Sequence, residues 1–128
     1  MTVKGITVES AGDDAGDDLE LFGAITASAV TSANIWNRGS GSYVTLREGE
    51  TYPTAAALGE AVIDVDPRAG AVIKLRANLT DFDDLSGNDG MGDVTVDVPF
   101  ETGWRREVPV MLTGDGARVK VVFALQPI

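Results

Sequence analysis

The sequence predicts an all-β fold, an antiparallel eight-stranded β-sandwich in which residues 1–128 form a single domain. Three observations lead to this prediction. About eight short segments, spaced by roughly 10 to 15 residues, alternate apolar and polar side chains or are rich in β-branched residues. Clusters of glycine, aspartate and proline separate these segments, and none carries the 3.6-residue period of an amphipathic helix. The 128 residues are 44% hydrophobic, which suits one domain with a core of its own.

The first half of the chain contains three predicted strands. Residues 3–9 alternate as a short strand, and residues 19–27 resume the pattern after a glycine- and aspartate-rich loop at residues 10–18. Residues 31–42 are polar and irregular and end in a flexible turn. Residues 43–47 are β-branched and aromatic, which is typical of a strand. An acidic loop is therefore expected between the first two strands.

The second half begins with a turn and loop at residues 48–53 and an alanine-rich stretch at residues 54–58 that is compatible with one helical turn. A tight turn is expected at residues 67–70. Five further strands are predicted at residues 60–66, 71–79, 92–100, 106–112 and 117–126. The sequence Gly-Asp-Gly at residues 114–116 predicts a hairpin between the last two strands.

Composition and charge exclude several classes of protein. The chain has no cysteine and no histidine, so it has no disulfides, no thiolate or imidazole metal ligands and no histidine-dependent catalytic group. The formal net charge of -10 at pH 7 repels phosphates, so no nucleic-acid partner is expected. No apolar run reaches the roughly 18 residues of a transmembrane helix, and the first residues do not resemble a signal peptide. Secretion and peripheral membrane association both remain compatible with the sequence.

The acidic segment at residues 81–92 is the feature that carries a functional prediction. It reads Asp-Phe-Asp-Asp-Leu-Ser-Gly-Asn-Asp-Gly-Met-Gly, so four carboxylates fall within nine residues between two predicted strands. Two like charges about 4 Å apart repel by roughly 4 kcal/mol at an effective dielectric near 20. General solubility or adaptation to high salt would explain acidity but not this clustering. Calcium takes six to eight hard oxygen ligands in flexible geometry, so the segment predicts a Ca²⁺ site.

The other acidic loop is expected at the same end of the sandwich. When consecutive strands of a sandwich run in opposite directions, successive loops alternate between its two ends. Residues 13–18 then lie at the first end, the turn near Ser40 at the second, and residues 52–58 at the first again. Residues 68–70 return to the second end and residues 81–89 to the first. We therefore expect both acidic loops to contribute to one site.

The carboxylates of these two loops are the candidate metal ligands. They are Asp13, Asp14, Asp17, Asp18, Asp81, Asp83 and Asp89. Asp81 and Asp83 would face the same side if the strand pleat continued through them. The helix-loop-helix calcium motif does not fit, because Leu85 stands where its fifth position supplies a ligand and the flanking segments are strands. Solvated acidic hairpins without a metal are the simpler alternative, since aspartate and glycine are common in turns.

Residues 81–92 resemble the third calcium loop of C2 domains, the calcium- and phospholipid-binding β-sandwiches of synaptotagmins and conventional protein kinase C. That loop runs approximately Asp-Phe/Tyr-Asp-x-hydrophobic-Ser/Gly-x-Asn/His-Asp-x-Ile/Met-Gly, and the order here follows it without a gap. The resemblance implies calcium ligands at Asp81, Asp83 and Asp89. It also implies that Phe82 packs inward beneath the loop and that Leu85 forms an exposed tip that enters lipid. A phospholipid membrane surface or a protein partner, bound in the presence of calcium, is the implied partner.

The resemblance extends beyond this loop, with departures. It implies that Met91 anchors the return of the loop and that Asp18 opens the next strand, with Asp13 or Asp14 as its upstream partner. The order of the loops suits the permuted variant of the family. However, Leu-Glu follows Asp18 where the family usually has Pro-Tyr, and Asp84 stands where lipid-binding members often carry a basic residue. The lysine-rich strand that meets inositol lipids is not visible in this sequence.

An alternative function is a calcium-stabilised structural, adhesion or carbohydrate-binding module of a larger secreted or surface protein. In that case calcium only rigidifies the loops and keeps no open coordination site. A glycan platform would draw on the aromatic residues Trp36, Tyr43, Tyr52 and Trp104. Paired carboxylates also occur in glycosidases, but no cleft-lining pattern accompanies them here, so we expect no enzymatic activity. The residues do not identify a particular lipid, sugar or protein.

Overall fold

The structure, a computed structural model, describes residues 2–11, 18–53, 56–66, 68, 70–82, 89–99, 105–114 and 116–126. Within these ranges the chain is all-β and forms two antiparallel sheets, which confirms the predicted fold class. The strands are β1 (Thr2–Ser10), β2 (Asp18–Ser28), β3 (Ser32–Arg38), β4 (Val44–Arg47), β5 (Thr51–Tyr52), β6 (Gly59–Glu60), β7 (Val72–Asp81), β8 (Asp89–Pro99), β9 (Arg106–Gly114) and β10 (Ala117–Leu125). One 3₁₀ turn, Ser40–Ser42, separates β3 from β4.

The two sheets have central strands that position the ends of the acidic loops. The first sheet has the order β5-β1-β10-β9, and β6 also pairs with β1. The second sheet has the order β3-β2-β7-β8, and β4 also pairs with β2. Every pairing is antiparallel. β1 and β2, which flank the first acidic loop, therefore belong to different sheets, whereas β7 and β8, which flank the second, are neighbours in one sheet.

The core lies between the sheets and follows the two-residue period of the strands. In β10, Val119, Val121 and Phe123 are fully buried while the residues between them are more exposed. In the facing sheet Leu75 and Leu79 of β7 are fully buried in the same way. Because successive side chains of a strand point to opposite faces, each strand gives one face to the core and one to solvent. Each such side chain contributes about 1.5–3 kcal/mol of hydrophobic stabilisation.

The described residues contain ten strands, not the eight predicted. Residues 31–42 were expected to be irregular, but β3 lies within them and pairs with β2. Its polar residues face outward along a sheet edge, so its pattern carries little hydrophobic signal. Residues 61–66 alternate as a strand would, yet they form none, and only Gly59–Glu60 of this region pairs with β1. An alternating pattern makes a strand only where a neighbouring strand supplies its hydrogen bonds.

Two predicted loop positions were also wrong. The far end of the second sheet is closed by the turn at residues 29–31, between β2 and β3, whereas the turn near Ser40 interrupts the edge strand midway. The two ends of the loop predicted at residues 52–58 lie along the edge of β1, since Tyr52 pairs with Ile6 and Gly59 with Val3. The turn at residues 48–50 takes the place expected for that loop. The number of passes between the two ends is nevertheless the predicted one.

Candidate functional site

The segments that carry the two acidic loops leave the same end of the second sheet. Asp18 is the first residue of β2 and Asp81 the last of β7, and these two strands are antiparallel neighbours in which Leu21 pairs with Asp81. The ladder continues one residue further, because the Phe82 N–H donates a hydrogen bond to the Glu20 carbonyl oxygen at 2.7 Å. The chain therefore enters β2 and leaves β7 side by side.

The predicted ligands divide into those that the structure describes and those that it does not. Asp13, Asp14, Asp17, Asp83 and the predicted tip Leu85 lie outside the described residues. The backbone of Asp89 pairs with that of Asp81 where the chain returns into β8, but its side chain also lies outside the description. Asp18 and Asp81 are described with their side chains. The structure thus fixes the base of the candidate site, at the ends of the strands.

Asp81 is the buried ligand candidate at this base. It is 5% exposed and is the one buried polar or charged residue in the described part of the chain. Its Oδ1 accepts a hydrogen bond from the Glu20 N–H at 2.8 Å, which ties the end of β7 to β2. Burial of a carboxylate is costly unless it is hydrogen-bonded. Since a carboxylate has about four acceptor positions, this bond is compatible with coordination of a cation.

Asp18 is half-exposed and has a basic neighbour that the sequence analysis missed. Arg47 Nε lies 3.7 Å from Asp18 Oδ1, and the two residues are Cα partners in the pairing of β2 with β4. The side chain of Arg47 is 78% exposed and that of Asp18 is 43% exposed. The strand prediction for residues 43–47 had placed Arg47 at a strand end. Nothing in its local sequence indicates the partner strand, however, so the contact was not foreseeable.

The turn at residues 48–50 adds two further carboxylates to this end of the molecule. Glu48 Oε1 accepts a hydrogen bond from the Ala11 N–H at 3.1 Å, immediately before the first acidic loop begins. Glu50 Oε1 accepts one from the Arg47 N–H at 2.8 Å. Sequence reasoning missed both residues because it placed residues 52–58 at this position. The Glu-Gly-Glu sequence was the available signal, since acidic residues flanking a glycine are typical of turns.

Phe82 does not pack inward as the resemblance implied. It is half-buried, and its ring stacks on Tyr43 with 5.1 Å between the ring centroids and 15° between the planes. The alternation of β7 explains the difference, because Asp81 points into the core and the next residue then points outward. Met91 is 1% exposed, in agreement with the implied anchoring role.

Two of the aromatic residues suggested as a platform for sugars, Trp36 and Tyr52, are connected through Arg38, which lies over the Trp36 ring and donates a hydrogen bond to the Tyr52 hydroxyl at 3.3 Å. Trp36 is 7% exposed and belongs to the core. Tyr52 lies on β5 of the first sheet, whereas Tyr43 lies beside β4 of the second. Trp104 is outside the description. Trp36 therefore has no face available for stacking with a sugar ring.

The start of β8, where the chain returns from the second acidic loop, is held against the other sheet. A Cβ atom on Gly114, at the end of β9, would lie 2.4 Å from the Gly90 carbonyl oxygen and 3.2 Å from Met91 Cα. Real Cβ atoms do not approach backbone so closely, so glycine permits this contact between β9 and β8. The return of the loop is thus fixed by backbone packing.

Other acidic side chains form ion pairs away from the candidate site. On the outer face of the second sheet, Arg76 Nη2 and Nε lie 2.6 Å and 2.7 Å from the carboxylate oxygens of Asp93. The hydrogen bond from Arg76 holds the pKa of Asp93 below its usual value. Near the opposite end, Asp66 pairs with Arg68, which likewise lowers the pKa of Asp66. Among the described residues no group of three or more acidic side chains is placed to hold a metal ion.

The chain matches no protein-family model, no curated protein and no solved structure. The described part of the chain contains no helix with the length and hydrophobicity of a membrane span. The class that the structure itself defines is an acidic, all-β protein of two packed antiparallel sheets. Its most distinctive feature is the pair of aspartate-rich segments that adjoin neighbouring strand ends.

Proposed function

We propose that this protein is a non-enzymatic, calcium-binding C2-like module in which Ca²⁺ bridges the two acidic loops at one end of the sandwich. The antiparallel pairing of β2 with β7, which brings the two loop ends side by side, is the observation that carries the proposal. Counting β3 with β4, and β5 with β6, as single interrupted edge strands makes each sheet four strands wide. Counted in this way, the strands support the proposal of an eight-stranded, C2-like sandwich, although the described residues form ten separate strands.

Electrostatics supports a cation at this position. Neighbouring strands lie about 4.8 Å apart, so carboxylates just beyond two adjacent strand ends repel one another strongly. The molecule already carries a net charge of -10, which adds to that repulsion. Asp81 presents a carboxylate whose orientation is fixed by the Glu20 N–H. A divalent cation with oxygen ligands relieves the repulsion, and calcium tolerates the irregular geometry that two loops provide.

A bound calcium with open coordination sites would then recruit a phospholipid headgroup or an acidic group of a protein partner. Leu85 at the tip would contribute about 1.5–3 kcal/mol if it were fully buried in lipid. Two calcium ions would change the formal charge only from -10 to -6. Attachment to an anionic membrane is therefore weak by itself, and calcium binding is the stronger part of the proposal.

Calcium titration tests the proposal directly. Isothermal titration and thermal melts would compare the protein in chelator with the protein in millimolar Ca²⁺. At a calcium concentration about 100 times the Kd, we expect stabilisation by about 2.7 kcal/mol, which is roughly 10 °C in Tm for 128 residues. Asp83→Asn should lose most of this shift. Asp97→Asn, which removes a carboxylate paired with Lys74 on the outer sheet face, is the matched control and should keep it.

The outcome that contradicts the proposal is the absence of both binding heat and a Tm shift in the wild-type protein. Co-sedimentation with vesicles containing phosphatidylserine then separates recruitment from a purely structural role of calcium. Calcium-dependent pelleting that Leu85→Ser weakens supports recruitment. Calcium binding without pelleting at any lipid composition favours the structural or adhesion module instead.

A further inference from the structure

Arg47 is a basic side chain placed beside a proposed calcium ligand. Its position follows from the register of the second sheet, in which Arg47 is the Cα partner of Asp18. The Arg47 N–H is bonded to Glu50 Oε1 at 2.8 Å, and the preceding residue, Leu46, is 3% exposed and part of the core. The backbone of Arg47 is therefore fixed at the end of β4, next to the start of β2.

The guanidinium of Arg47 makes a long, solvent-exposed ion pair with Asp18. Arg47 Nε lies 3.7 Å from Asp18 Oδ1, and the Arg47 side chain is 78% exposed. An exposed ion pair of this kind contributes little to stability, because solvent screens it and both side chains lose conformational freedom. The guanidinium can thus leave Asp18 without disturbing the core.

We propose that Arg47 is an autoinhibitory cation that competes with calcium for the Asp18 carboxylate and thereby lowers the calcium affinity of the site. The inference rests on the proposed function, since Asp18 is a calcium ligand only there. Two effects act in the same direction. Calcium must displace the guanidinium from Asp18, and the positive charge that remains nearby repels the incoming cation.

The test is a calcium titration of Arg47→Gln at low ionic strength, where exposed charges are least screened. We expect calcium to bind this variant about two- to fivefold more tightly than the wild type, as follows from the usual strength of an exposed ion pair. Arg47→Lys retains the charge and should remain near the wild-type affinity. Arg76→Gln is the control, because it removes the same charge from a residue paired with Asp93 on the same sheet. It should change the affinity by less.

A double-mutant cycle with Asp18→Asn shows whether Arg47 acts through Asp18. The gain from Arg47→Gln should shrink markedly in the Asp18→Asn background. An Arg47→Gln effect no larger than that of Arg76→Gln, or one that persists without Asp18, overturns this inference while the calcium function stands. A wild-type protein that binds no calcium overturns both. Thermal melts in chelator identify a variant that has lost its fold. If Arg47→Gln is such a variant, Arg47→Ala, which also removes the charge, takes its place in the comparison, and Arg47→Lys remains the charge-retaining control.

Discussion

Substitutions of Asp81 separate its structural role from its proposed role as a ligand. The buried Asp81 carboxylate accepts a hydrogen bond from the Glu20 N–H at 2.8 Å, and this bond joins β7 to β2 at the base of the acidic loops. Asp81→Ala removes the acceptor. Asp81→Asn keeps an oxygen that can accept the same bond, but it removes the negative charge that calcium prefers. The two variants should therefore differ in stability in chelator, and neither should gain much stability when calcium is added.

The expected magnitudes follow from this contact. Without the Asp81 acceptor, the Glu20 N–H is left unsatisfied at a part-buried position, which costs about 1–3 kcal/mol. A chain of 128 residues loses about 4 °C in Tm for each kcal/mol. In chelator, Asp81→Ala should therefore melt roughly 4–12 °C below the wild type, whereas Asp81→Asn should melt within a few degrees of it. In calcium, both variants should lack most of the wild-type gain.

Thermal melts of the three proteins, in chelator and in millimolar calcium, provide the assay. Equal losses for Asp81→Asn and Asp81→Ala in chelator would show that the negative charge, not the acceptor oxygen, stabilises this strand end. A full calcium-dependent gain in Asp81→Asn would remove Asp81 from the proposed ligands. Either result would refute the separation of roles.

Two further predictions concern the described scaffold. Gly114→Ala should destabilise the protein by about 1–3 kcal/mol in denaturant titrations, because the added Cβ would clash with the Gly90 carbonyl oxygen. Gly41→Ala is the control and should be close to neutral, because nothing lies within 4 Å of its Cβ. Carboxyl NMR titration should show that Arg76→Gln raises the pKa of Asp93 back toward its ordinary value near 3.9. Because the folded-state pKa of Asp93 is depressed, its pair with Arg76 stabilises the fold at pH values above the ordinary pKa, and this contribution is lost as the pH falls through the folded-state pKa. An unchanged Asp93 pKa in Arg76→Gln would contradict the assigned cause.

The strands that bury one face were predictable from the sequence. β1, β2, β7, β8, β9 and β10 all lie close to their predicted positions, because their apolar residues recur with a period of two. Counting the passes between the two ends was then sufficient to place the ends of both acidic loops together. That inference tolerated errors within the edge strands, since it depended on the number of passes and not on where each edge strand begins.

Three edge strands could not be predicted in the same way: β3, β5 and β6. β3 is held by its pairing with β2 and presents mostly polar residues, so its local pattern resembles a loop. The segment after β6 has the opposite property, an alternating pattern with no strand to pair with. The contact between Arg47 and Asp18 depends on the pairing of β4 with β2, and the local sequence of a strand does not indicate its partner strand. Phe82 was misplaced because a family resemblance was given more weight than the alternation of β7.

Hydrogen bonds within the protein already fix the strand ends at the acidic end of the sandwich. Three of its carboxylates already accept hydrogen bonds from backbone amides: Asp81 from Glu20, Glu48 from Ala11 and Glu50 from Arg47. These bonds join β7 to β2, the turn at residues 48–50 to the end of β1, and that turn to β4. They fix the strand ends from which the aspartate-rich segments extend. A cation bound between those segments would therefore add to the stability of a sandwich that its apolar core already holds together, so calcium is expected to raise Tm without being required for folding.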